Sequence, residues 1–148
     1  MVKELPLAEI TLRKYEKPYD SSQRELVRKV CLSLGLLQPG DSRDILVDIV
    51  LVLEEARKRQ SWMSSFEIRD RVDEFRKKNS LESKGLAESN IRRQLKRLRD
   101  IMMVDKRENK YRMSEFAPLS EIFEVKIEKF LIPQTIDRIK EYLQRLEK

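Results

Sequence analysis

The residues best spaced for chemistry in this chain are cations: Lys84, Arg92, Arg93, Lys96, Arg97, Arg99, Lys106, Arg107, Lys110 and Arg112. Four acids share the segment: Glu88, Asp100, Asp105 and Glu108. The net charge of the 148-residue chain is +6, and this one stretch accounts for all of it, because acids and bases balance elsewhere. A basic patch in a neutral remainder suits a phosphate backbone, whose condensed counterions Lys and Arg release on binding. A charge run alone is equally a solvated helix face, so the surrounding elements decide between the two.

Other chemistries are poorly served. The chain has no His, which removes imidazole acid–base catalysis, Ser-His-Asp and Cys-His systems, and His-containing metal sites. One Cys cannot build a disulfide framework or a Cys-only zinc site. There is no Gly-rich phosphate loop, no HExxH and no CxxC, and only three Gly in all. Asp41, Asp44 and Asp48, or Glu54 and Glu55, could in principle meet Mg²⁺, but basic neighbours make solvated surface charge the expectation. The expectation is a protein that is not an enzyme, holds no cofactor or metal, and shows no evident small-molecule ligand. The opening residues carry no apolar signal core and no apolar run reaches about 18 residues, which reads as a soluble, cytoplasmic protein with no membrane partner. Few Asn and Gln and 39% charged residues fit a thermophile.

The elements that must position the cations follow from caps and periodicity. Residues 1–19 read as an N-terminal arm with a β-capable stretch at Ile10-Thr11-Leu12. An accessory helix and loop span 20–42. Ser22 and Glu25 have capping-box spacing, Leu26, Val27, Val30, Cys31 and Leu34 form a stripe, and Gly35 suits the C′ position. Cys31 lies in that stripe and is expected as a small core residue. The next helix runs from Arg43 to Arg59 and is apolar over 45–53 except at Asp48, as a central core element would be. Trp62-Met63 is a short extended segment, with Trp62 expected to pack beside that central helix. Ser64 and Glu67 repeat the capping box, and Ile68, Val72 and Phe75 continue a helix to about Lys78.

After a loop at 79–86, a helix runs to Ile101 with Ile91, Leu95, Leu98 and Met102 as its core stripe. At 100° per residue, Ser89, Arg93, Lys96, Arg97 and Asp100 fall opposite, flanked by Asn90 and Arg92. Met103–Arg107 and Tyr111–Met113 read as two strands, joined by a polar turn containing Asn109, which tolerates positive φ. Pro118 opens a helix that Pro133 should break. Beyond it, Ile132, Ile136, Ile139, Leu143 and Leu146 recur in a heptad-like seam suited to dimerisation.

From residue 43 to 116, this order resembles the winged helix-turn-helix family of DNA-binding domains, with the flavour of small archaeal transcriptional regulators. The resemblance rests on Ser64-Ser65-Phe66-Glu67-Ile68, on Ser89–Leu98 and on Val104–Arg112. It implies a mainly α fold with a small β-hairpin wing and flanking N- and C-terminal helices, the last a helical pair over 117–148. It also implies a transcriptional regulator that binds double-stranded DNA; the C-terminal seam, which could instead pack on its own domain, is expected to make it a homodimer. Helix 87–101 would enter the major groove, where Ser89, Asn90 and Arg93 would read bases and Arg92, Lys96 and Arg97 would reach phosphates or further bases. Arg107, Lys110 and Arg112 of the wing, and Ser64 or Ser65 at a helix start, would touch the backbone. The competing class is a winged-helix protein-interaction subunit of a nucleic-acid-processing complex. The loop at 79–86 is longer than the family's tight turn.

Overall fold

A computed structural model describes residues 4–148. It is mainly helical with one small antiparallel sheet. The elements are α1 (Gln23–Ser33), α2 (Ile45–Lys58), β1 (Met63–Ser64), α3 (Ser65–Lys78), α4 (Glu88–Asp100), β2 (Val104–Arg107) and β3 (Lys110–Met113), followed by a helical run. β3 is the central strand, pairing with β2 in the hairpin and with β1, where Met63 faces Tyr111. No helix among the described residues is long and apolar enough to cross a membrane.

Both capping boxes foreseen from spacing form caps. The Ser22 hydroxyl accepts from the Glu25 N–H at 3.2 Å. At Ser64 the cap is reciprocal, Glu67 N–H donating to the Ser64 hydroxyl at 3.1 Å and Ser64 N–H to the Glu67 carboxylate at 3.0 Å. That Ser64 N–H is foremost in holding the Glu67 carboxyl below its ordinary range, with Lys110 and Arg71 adding a weaker pull.

The four longer helices before the hairpin end alike. At each C-terminus the C″ N–H reaches back to the C3 carbonyl: Leu36 to Cys31, Ser61 to Ala56, Leu81 to Arg76 and Met103 to Leu98. This closure requires a left-handed residue at C′. Gly35 takes it at φ +71, and Gln60, Ser80 and Met102 take it without glycine. Gly35 is doubly constrained, since a Cβ there would lie 2.4 Å from the Thr11 Cβ of the arm. Met102 is therefore a helix terminator, half-exposed, and not the core residue its spacing suggested. Ile101 and Met103 on either side are buried.

Several other expectations are corrected. Ile10-Thr11-Leu12 is not a strand. The arm is held instead by Arg13, whose N–H donates to Ser33 O at 2.8 Å and whose guanidinium donates to Leu32 O at 2.9 Å and Leu37 O at 3.2 Å. Two of these carbonyls, Leu32 O and Ser33 O, lie in the last turn of α1, where the helix has few donors of its own left to offer. Leu26 and Val30 are exposed while Val27, Cys31 and Leu34 are buried, so the α1 stripe is narrower than its sequence. Burial pushes the Cys31 thiol up to about 12, as suits a packed core residue. In the hairpin turn, Glu108 takes positive φ, not Asn109.

The C-terminal segment is not a pair broken at Pro133. α5 (Leu119–Ile122), a π-helical segment (Phe123–Leu131) and α6 (Ile132–Leu146) abut without a non-helical residue between them. Pro133 lacks the N–H of the regular ladder, and the widened turn just before it lets the helix absorb that loss rather than end. Ile122, Ile127 and Leu131 bury against the core, whereas no residue of α6 is buried.

The core joins α1 through α4, the sheet and the π-helical segment, centred on Leu46, Ile49, Leu53, Ile68, Ile91, Leu95, Leu98, Met113 and Ile127. Asp48 sits inside it with a side chain 0% exposed, which corrects the expectation of a solvated carboxylate. Arg24 meets Asp48 at 2.9 Å and Arg76 meets it at 2.5 Å. The same two arginines reach Asp44 at 3.0 and 3.2 Å, and Arg28 adds a third contact at 3.1 Å. Arg76 Nε also donates to Glu82 O at 2.5 Å, tying the loop after α3 to this node.

Candidate nucleic-acid interface

α4 is set by its apolar stripe. Ile91, Leu95 and Leu98 are fully buried against α2, α3 and β2, which leaves the opposite side to solvent. Ser89, Arg92, Arg93, Lys96 and Arg99 are exposed there. Arg92 leans back on Glu88 at 3.2 Å and Lys96 on Asp100 at 3.2 Å, both i,i+4 pairs on exposed side chains. Such pairs are weak, about 0.3–0.5 kcal/mol, and readily exchanged for a stronger anion.

Not every cation or polar group assigned to this face lies on it. Arg97 is half-buried, donating to Gln94 Oε1 at 3.0 Å and to Gly35 O at 3.3 Å, so it braces α4 against the end of α1. Asn90 Nδ2 donates to Gly85 O at 2.7 Å, while its Oδ1 accepts from Arg93 at 3.3 Å and Gln94 at 3.2 Å. Its amide therefore fastens the long loop to the first turn of α4. Ser65 is buried and hydrogen-bonded to Glu88, which joins the N-termini of α3 and α4 and removes its hydroxyl from the surface. Ser64 is half-exposed, with its hydroxyl engaged in the cap.

The hairpin carries Lys106, Arg107 and Lys110 exposed. Arg112 points elsewhere. It pairs with Asp105 at 2.9 Å and stacks on Trp62 at 4.5 Å and Phe116 at 4.7 Å. Arg107 lies 4.7 Å from the same indole, and Trp62 meets Phe116 edge-on at 6.1 Å. Trp62 thus packs under the hairpin rather than beside α2, where its neighbours in sequence had placed it.

Among the described residues, Arg93, Arg97, Arg99, Lys106, Arg107 and Lys110 have no carboxylate partner, in contrast to Lys84, Arg92, Lys96 and Arg112. Arg99 and Lys106 belong to the basic stretch of the sequence but had no contact assigned to them there. Arg99 follows Arg92 by seven residues, which puts it on the same helical flank. Among the described residues, no cluster of three or more His, Cys, Asp or Glu could hold a metal ion. Asp44 and Asp48 already have three arginines as partners.

The five seam residues lie on α6. Ile136, Ile139, Leu143 and Leu146 are exposed, Leu146 at 79%, and Ile132 is half-buried near the core. Comparison with known proteins returns no match: no family model fits the chain, and no curated protein or solved structure is similar to it.

Proposed function

We propose that this chain is a winged helix-turn-helix protein that binds double-stranded DNA as a homodimer and regulates transcription. The observation that carries this reading is the set of exposed cations without carboxylate partners on the solvent-facing part of α4 and on the adjoining hairpin. Arg93, Arg99, Lys106, Arg107 and Lys110 are its members. Buried charges are paired in this molecule, so unpaired ones on one exposed side suit an external polyanion. The order α2, β1, α3, α4, β2, β3, with β1 closing on β3, supports the same reading. In it, α4 lies in the major groove with Ser89 and Arg93 facing base edges, and Arg92 and Lys96 turn from their helix carboxylates to phosphates. Lys110 and Arg107 on the hairpin meet the backbone. Asn90, Arg97, Ser65 and Arg112 hold the scaffold that presents them.

The homodimer rests on α6. Its exposed stripe Ile136, Ile139, Leu143, Leu146 repeats at spacings that face a second helix, and none of these four is buried. Two copies would present two DNA-reading faces and gain affinity through effective concentration.

Titration of duplex binding against salt tests the first part. The wild type should lose affinity with a slope of about 0.9 log units per phosphate neutralised. Changing Arg92, Arg93 and Lys110 together to Ala should make that slope shallower by roughly three such contacts. Equal affinity of variant and wild type at low salt would overturn the DNA reading. For the dimer, light scattering should give twice the chain mass for the wild type and the single mass for Ile139→Glu with Leu143→Glu. A wild type that runs at the single mass across concentrations refutes it.

A further inference from the structure

Part of this basic surface closes into a concavity at the C-terminal end of α4. Its volume is about 630 Å³, and it is formed by the end of α4, strand β2 and the π-helical segment, with Trp62 at its wall. Arg99 comes from α4, Lys106 and Arg107 from β2, and Lys126 from the π-helical segment. None of these four has a carboxylate partner among the described residues. The two acids that line the cleft, Asp100 and Asp105, are already paired with Lys96 and Arg112. Lys126 lies outside the basic stretch of the sequence and reaches it only through the fold. Four like charges gathered in one concavity repel one another, and a cleft concentrates their field toward an incoming anion.

We propose that this cleft is a phosphate-binding site in which Arg99, Lys106 and Lys126, drawn together by α4, β2 and the π-helical segment, hold the sugar–phosphate backbone of a duplex beyond the part read by α4. The duplex as the source of phosphate rests on the proposed function, whereas the phosphate chemistry follows from the cleft itself. Arg107 and Arg112 are held against Trp62 at 4.7 and 4.5 Å, which keeps that wall ordered and lets the indole report on anions drawn into the cleft.

Trp62 is the only tryptophan in the chain, so its emission is specific to this place. The full-length protein is titrated with a mixed-sequence duplex and, separately, with inorganic tripolyphosphate. Duplex should change the Trp62 emission saturably. Changing Arg99, Lys106 and Lys126 to Ala should make the salt slope of duplex binding shallower by about 0.9 per lost contact. Lys126→Ala alone removes no α4 or hairpin residue and should remove about one contact's worth. Duplex binding with unchanged slopes in both variants overturns the cleft and leaves the α4 reading standing. A shallower slope with no Trp62 response places the contacts elsewhere and equally overturns it. If no duplex binds the wild type, the proposed function falls and tripolyphosphate decides the cleft. A saturable Trp62 response lost in Lys126→Ala then supports a site for free polyphosphate, and no response overturns it.

Discussion

Two regions of this molecule use arginine in opposite ways. Between α1, α2 and α3, three arginines surround two aspartates, and Asp48 has no exposed surface at all. Along α4 and the hairpin, arginines and lysines stand in water, many without an acid beside them. The inner set is committed: each guanidinium there is oriented by carboxylates, and Arg28 and Arg76 also by the backbone carbonyls Asp41 O and Glu82 O. The outer set keeps its bonding capacity. What separates a committed cation from a free one here is the partner the fold brings to it, carboxylates for Arg24, Arg28 and Arg76 and a carbonyl of another element for Arg97, and residue type alone does not report it.

The contrast can be broken most forcefully from inside. Asp48→Ala leaves Arg24 and Arg76 partly buried opposite a lost partner, and breaking such a pair from one side costs about 3–5 kcal/mol. Chemical denaturation should show that loss, and a change below about 1 kcal/mol would mean that the node holds little of the fold together. Acid probes the same node more gently. Burial alone would raise the Asp44 carboxyl, but hydrogen bonds and charge from Arg24 and then Arg76 outweigh it and hold the group below its ordinary value. A carboxyl lowered by folding contributes stability that is complete above about pH 4 and drains away as pH falls through the folded-state value. Stability of the wild type should therefore drop below that pH more steeply than stability of Asp44→Asn, and parallel curves would contradict the assignment. The smallest effect is expected outside. Arg92, Arg93 and Lys110 changed together to Ala should move stability by no more than about 0.5 kcal/mol for each exposed site while weakening duplex binding. A large loss of stability there would erase the distinction.

Much of the scaffold was legible in local signals. Ser22 with Glu25 and Ser64 with Glu67 announced two helix starts, and Ile91, Leu95 and Leu98 gave the buried side of α4, because caps and helical faces depend on residues three and four apart. Asp48 was visible as the one polar residue in an otherwise covered helix. Its partners lie 24 and 28 residues away, and nothing local pairs them. The same limit hid the fate of Arg97 and Arg112, which look like free polar groups until Gly35 and Trp62 come beside them, whereas the Asn90 partner Gly85 is near in sequence and was hidden by the unknown path of the loop. Lys126 could join the basic cleft only once the helix after the hairpin folded back. Pro133 misled for a different reason: a proline reads as a stop signal, but one placed just after a widened turn can be carried inside a continuing helix.

That uninterrupted helical run, from Leu119 to Leu146, has a mechanical consequence. Its first half is clamped by Ile122, Ile127 and Leu131, and its second half has no buried residue. A beam fixed at one end and free at the other works as a lever. Because the run stays helical through Pro133, a load on the far end is passed as torque toward the clamped end, beside Lys126 and the hairpin. Whatever grips the tip of α6 would therefore also steer the basic face, and the stiffness of one helix sets how faithfully it does so.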